Sequence, residues 1–165
     1  MPGQPETIIP VGCYLRGGPA MARIIVLFST LGGNTRAMAE HVAAGARLVP
    51  GADVALMDAA SLDMAALESA DGLAIGAPNY FSYPSGLIKH FFDMAHQRAA
   101  FKGKPFVAFS THGGGGGISA VIDKLSQAIG MKPAAPAVDV MGLPQGDQVK
   151  DCRKLGQALA VRASG

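Results

Sequence analysis

The sequence predicts an α/β domain: a three-layer sandwich whose five-stranded parallel sheet, in the order 2-1-3-4-5, carries helices on both faces. Three observations predict it. Strand-length apolar runs alternate with stretches of helical period from residue 22 to the last helix. The chain has 165 residues, 49% of them hydrophobic and 16% charged, enough for one well-cored domain and too few for two. Finally, the loops after the first, third and fourth strands have unusual compositions, and in this strand order they share the crevice at the carboxyl end of the sheet.

The first strand is read over residues 24–28, a short β-branched run too brief for a helix and followed at once by glycines. From Thr35 the apolar spacing turns helical through Ala37, Met38, His41 and Val42. Pro50 and Gly51 mark a turn before a loosely alternating second strand over 52–57, and Ser61 is placed to cap a short helix through Leu67. Strands three, four and five are expected at 71–77, 104–110 and 137–141. Helices are expected at 85–96, 118–129 and 147–162.

Residues 1–20 carry Pro, Gly and isolated apolar residues without periodicity, and read as a flexible extension ahead of a domain over 21–165. Met21 stands just before the first strand and is the expected natural start. The stretch IIPVGCYL, preceded by Glu6, lacks the basic lead and longer apolar core of a secretory signal.

Composition excludes several classes. Mean hydropathy is +0.27, yet the apolar runs are strand-sized and interrupted, so no membrane span is expected. A net charge of +2, dispersed along the chain, does not suit a nucleic-acid binder. Cys13 and Cys152 belong to no Cys/His cluster, and His41, His90 and His96 have no partners at metal spacing, so no metal site is expected and a reducing cytoplasm is the default compartment. Cys13 also lacks the arginine of a Cys-x5-Arg phosphatase loop, since Pro19 stands there. The run His112-Gly-Gly-Gly lacks the nucleophile elbow of a lipase. Ser29 and Ala77 stand where a receiver domain needs acidic residues.

Three loops carry the chemistry. The first, Thr30, Leu31, Gly32, Gly33, Asn34 and Thr35, joins a strand to a helix and aims backbone N–H groups and a helix dipole at one point. It has no lysine and matches neither the P-loop nor the G-x-G-x-x-G pattern, which points to a monophosphate held by neutral donors. The second loop, APNYFSYPSG, gathers Tyr80, Phe81 and Tyr83 beside the crevice, with Ser82 and Ser85 among them. Such a cluster suits a flat heteroaromatic ligand. The third, STHGGGGGIS, has five successive glycines, costly to order unless their backbone approaches a ligand closely.

Residues 30–35 resemble the flavodoxin phosphate loop, Ser/Thr-x-Thr-Gly-x-Thr, with Gly32 at a usual threonine. Residues 76–93, GAPNYFSYPSGLIKHFFD, resemble the corresponding block of WrbA-type quinone reductases and related FMN reductases, with Ser82 and Tyr83 replacing a usual glycine and asparagine. The glycine run resembles the third flavin loop of the same reductases, with His112 at a common glycine. The resemblance implies a flavodoxin-like fold and FMN as cofactor. By that resemblance the phosphate lies on residues 30–35, the isoalloxazine ring against Pro78, Asn79, Tyr80, Phe81 and Ser82, and the pyrimidine edge and ribityl chain against Thr111, His112, Gly113 and Gly114. His112 is the candidate catalytic residue, placed to hydrogen-bond the flavin or stabilise its reduced form.

Two functions follow from the resemblance. One is an NAD(P)H-dependent oxidoreductase passing electrons through FMN to a quinone or similar small acceptor. The other is a flavodoxin-type carrier that serves a redox partner protein and has no small substrate of its own. Homo-oligomerisation stays open in either case.

Overall fold

The computed structural model describes residues 21–165. The expectations for residues 1–20, Cys13 among them, lie outside the described residues.

The central layer is a parallel sheet built on β1 (Ala22–Phe28), β2 (Ala52–Asp58), β3 (Gly72–Tyr80), β5 (Pro105–His112) and β7 (Val138–Met141), in the expected order β2-β1-β3-β5-β7. Two additional two-residue strands bring the sheet to seven: β4 (Tyr83–Pro84), antiparallel to β3, and β6 (Lys132–Pro133), beside the start of β5. The expectation of five strands therefore holds for the core and misses these short pieces. Neither is long enough to show a period of its own.

Alternation along the central strands sorts the core into two layers. Ile25, Leu27, Leu73, Ile75, Phe106 and Ala108 face α2 (Met64–Ser69), α3 (Gly86–Ala95) and α4 (Ser119–Ala128), where Leu67, Ile88, Phe91 and Ile122 are buried. Ile24, Val26, Phe28, Ala74, Val107 and Phe109 face α1 (Asn34–Ala46) and α5 (Asp147–Ala163), against Met38, Val42, Cys152, Leu155 and Leu159. Strands apolar on both faces are what a doubly covered parallel sheet requires. Gly76 sits in the second layer because Phe109 needs the space: a Cβ there would lie 2.0 Å from the Phe109 ring.

Helices α1 and α5 meet backbone to backbone. A Cβ on Gly156 would lie 1.8 Å from the Val42 carbonyl oxygen, and one on Gly45 would lie 1.9 Å from that of Arg153. The expected short helix at 61–67 is displaced. A single 3-10 turn at Ala59–Ser61 is capped by Asp58, and α2 starts only after Asp63, whose carboxylate accepts the Ala66 N–H at 3.0 Å. Aspartate is a strong N-cap and stands directly before the apolar period of this helix. At the opposite end of the sheet from the glycine loops, Lys104 is 8% exposed and donates to the carbonyls of Leu67 and Glu68 at the end of α2. Burial pushes its pKa down.

Candidate functional site

The carboxyl ends of β1, β3 and β5 open into a cleft of about 210 Å³. It is lined by Thr30, Gly32, Asn34, Thr35, Pro78, Asn79, Tyr80, Thr111, His112 and Gly113, with no Asp, Glu, Lys or Arg among them. A hollow of about 480 Å³ beside α4, lined by Ala120, Asp123 and residues 133–137, is larger but offers a ligand no hydroxyl or amide side chain.

The first loop is preorganised by its own side chains. Thr30 Oγ1 accepts the Gly33 N–H at 2.9 Å, which leaves the hydroxyl proton free to point outward. Gly33, at φ 91°, forms the N-cap of α1 and has no side chain with which to cap it. No acidic residue occupies the first turn, and the Thr30 hydroxyl takes the N–H of Gly33 itself rather than one from the helical turn that follows. The first-turn N–H groups and the positive end of the helix dipole thus remain for a ligand. Thr35 is 1% exposed, and its hydroxyl pairs with that of Thr111 at 2.7 Å, tying the start of α1 to the end of β5. One proton of this hydroxyl pair remains free to donate. A second buried hydroxyl pair, Ser29 with Ser85, links the end of β1 to the start of α3; sequence reasoning had no signal for it.

The second loop is shorter than expected because β3 runs three residues further, to Tyr80, and turns back directly into β4. Pro78 is therefore a strand residue, opposite Thr111. Phe81 and Ser82, at φ 56° and 63°, form the two-residue turn, and Tyr80 and Tyr83 face each other across the hairpin. Tight hairpins need left-handed backbone there, normally supplied by Asn-Gly, and each non-glycine residue costs about 1–2 kcal/mol. Asn79 offsets part of this: its Oδ1 accepts the Ser82 N–H at 2.8 Å, and its Nδ2 donates to the Gly116 carbonyl at 2.6 Å. Phe81 projects fully into solvent at the tip of the turn, and Tyr83 is 41% exposed.

Strand β5 likewise runs beyond its expected end, so Thr111 and His112 are strand residues and the third loop begins at Gly113. His112 Nδ1 accepts the Gly114 N–H at 3.1 Å, which puts the ring proton of neutral His112 on Nε2. The glycines differ in their reasons. Gly114 and Gly116 hold φ 128° and 86°, whereas a Cβ on Gly117 would lie 1.9 Å from Asp139 Oδ1. Gly113 and Gly115 are not constrained in either way.

Ten of the fifteen site residues expected from sequence line the cleft. The other five stand at its margin: Leu31 is 87% exposed, Gly33 caps the helix, Phe81 and Ser82 make the turn, and Gly114 lies within the glycine run. Among the described residues, no group of His, Cys, Asp or Glu could hold a metal ion, and no helix is long and apolar enough to cross a membrane.

Residues 64–146 match the model of the family described as NADPH-dependent FMN reductase. A flavodoxin of Aquifex aeolicus is 32% identical, over 85% of this chain and 86% of its own length. The chain belongs to the flavodoxin-like FMN-binding family. A coenzyme F420H(2) oxidase of Methanothermobacter marburgensis is 29% identical over 84% of this chain, which spans only 35% of that larger protein. Among solved structures, a flavodoxin from the domain Archaea superposes with a TM-score of 0.79, at 23% identity, over 87% of this chain and 99% of its own, and so shares its fold.

This flavodoxin-like protein is thus a flavoprotein with redox chemistry, and FMN is its cofactor. The cleft fits that group on its own chemistry: uncapped helical N–H groups and hydroxyl protons at the α1 end suit a phosphate, and Tyr80 with Pro78 offers a flat apolar wall.

Proposed function

We propose that this chain is an FMN-dependent oxidoreductase that takes electrons from NAD(P)H and passes them to a quinone or similar small acceptor, with residues 21–165 as the FMN-binding domain. The observation that carries the proposal is a single cleft where residues from the ends of three strands meet, lined by the hydroxyl and amide groups of Thr30, Asn34, Thr35, Asn79 and Thr111 together with the Tyr80 ring, and by no Asp, Glu, Lys or Arg. Bound FMN supplies the hydride and electron transfer; the protein binds, orients and tunes it.

Thr30, Gly32, Asn34 and Thr35, with the first turn of α1, hold the phosphate, and Leu31 and Gly33 shape that loop. Pro78, Asn79 and Tyr80 position the ring, while Phe81 and Ser82 form the turn at its outer edge. Thr111, His112, Gly113 and Gly114 hold the ribityl chain and the polar edge of the ring. His112 holds a proton at Nε2 and donates it as a hydrogen bond toward the cleft, since Nδ1 is already occupied by Gly114. Tyr83 and Phe81, exposed beside the cleft, form the apolar surface met by an incoming acceptor.

Steady-state assay with NADPH and benzoquinone tests this reading. The expected result is turnover well above that of the same concentration of free FMN, with loss of rate in His112→Ala. The second reading, an electron carrier for a redox partner protein, is favoured by the match across most of a flavodoxin's length. Turnover no faster than free FMN would favour the carrier.

A further inference from the structure

Asp139 lies on the outer strand β7, opposite Ser110 of β5, and its carboxylate gathers both ends of the glycine loop. Oδ1 accepts from the Ser110 hydroxyl, in the last part of β5 that leads into the loop, and from the Ser119 N–H, just after the loop, at 3.1 Å for the latter. Oδ2 accepts from the Ser119 hydroxyl at 2.8 Å. The Ser110 oxygen in turn accepts the Ile118 N–H at 2.9 Å. One side chain therefore fixes where the loop departs and where it lands, and it supplies the cap that α4 lacks, since Ile118 at that N-cap has no side-chain hydrogen bond to offer. Gly117 has to be glycine because this carboxylate occupies the space of its Cβ.

We infer that Asp139 is the positioning residue of the flavin site: it closes the 113–118 loop into the shape that presents Gly113 to the cleft beside Thr111 and His112 at the end of β5. The inference rests on the FMN reading of that cleft. Five glycines in a row have little conformational preference of their own, so the loop needs an external anchor to stay ordered before ligand arrives. Asn79 anchors it in the middle, through Gly116, and Asp139 anchors its two ends. The role is hydrogen-bonding geometry rather than charge. An asparagine keeps an acceptor for Ser110 and the Ser119 N–H, and its amide can donate to the Ser119 hydroxyl, which accepts as readily as it donates.

The test compares Asp139→Ala, Asp139→Asn and Ser119→Ala in the full chain, by FMN titration and by backbone amide exchange of the FMN-free protein. Asp139→Ala is expected to weaken FMN binding about tenfold or more and to speed exchange at Ile118 and Ser119, with thermal unfolding of the FMN-free protein little changed. Asp139→Asn is expected to bind FMN within about threefold of the parent, and Ser119→Ala to fall between. Should Asp139→Ala not fold, Ser119→Ala against Asp139→Asn carries the same comparison. Unchanged FMN affinity and exchange in Asp139→Ala would overturn the inference, as would equal losses in the alanine and asparagine variants, which would mark a charge effect. A parent protein that binds no FMN at all would overturn the FMN reading instead, and the exchange rates would still decide whether Asp139 fixes the loop.

Discussion

Glycine is used in two regions of this molecule for opposite reasons. Between α1 and α5, Gly45 and Gly156 permit contact: helical backbones pass so close that any side chain would strike a carbonyl oxygen. In the run 113–117, Gly114 and Gly116 permit conformation, and most of the space around the run is open. The first region is a tightly packed body that sets stability. The second is a surface loop, held by hydrogen bonds with Asn79, Ser110, His112 and Asp139, whose first residue lines the cleft. Substitution should therefore separate the two, with large losses of stability in the body and losses of ligand affinity in the loop.

The largest effect expected is at the helix contact. Gly156→Ala should cost about 3 kcal/mol, read as a lower urea midpoint at constant m-value, because two backbones must separate to admit a methyl group. A change below about 0.5 kcal/mol would mean the helices slide apart freely and would remove the contrast.

Cys152 probes the same packed body. It is fully buried, and burial raises its thiol pKa to about 11, above the 9.0 of the exposed group. A raised folded-state pKa gives stability that is complete below about pH 9 and lost as pH climbs toward 11, where only the unfolded chain ionises freely. The loss should reach about 2 kcal/mol and be absent in Cys152→Ala. Lys104, whose pKa is lowered by burial, works in the opposite direction over the upper part of this window, so the difference between parent and variant is the informative quantity. A pH profile identical in the two proteins would show that the thiol is not held in the core.

In the loop, Gly114→Ala and Gly116→Ala each force a left-handed alanine costing about 1–2 kcal/mol, which the loop relieves by changing shape. FMN affinity should fall about tenfold while the urea midpoint of the FMN-free protein hardly moves. The smallest effect belongs to Gly115→Ala. Its Cβ would meet only Asn79 Nδ2, at 3.9 Å, so the substitution should leave FMN affinity intact and stabilise the chain by a few tenths of a kcal/mol through the unfolded state. Equal losses at Gly114 and Gly115 would show that backbone conformation is not what the run provides.

The sheet was legible in the sequence because its strands are apolar on both faces and its helices carry a clear period; every long element lies near its expected place. The first loop was legible because strand, glycines and helix follow one another directly. The ends of β3 and β5 were not. Phe81-Ser82 is no turn signal, so the hairpin that extends β3 to Tyr80 depends on Asn79 bonding the Ser82 N–H. Asp139 left a faint trace, a lone carboxylate among valines, but its partners Ser110 and Ser119 become neighbours only when β7 pairs with β5. The glycine contact of α1 with α5 is invisible in sequence, since each glycine looks like a weak point within its own helix.

The α1 end of the cleft should hold a phosphate with neutral donors alone. Parallel titrations with FMN and with riboflavin, which lacks only the phosphate, test it most directly. FMN should bind with a 1:1 endpoint and at least about a hundredfold more tightly than riboflavin, a gap of roughly 3 kcal/mol. Equal affinities for the two flavins would contradict the assignment of residues 30–35 as the phosphate site.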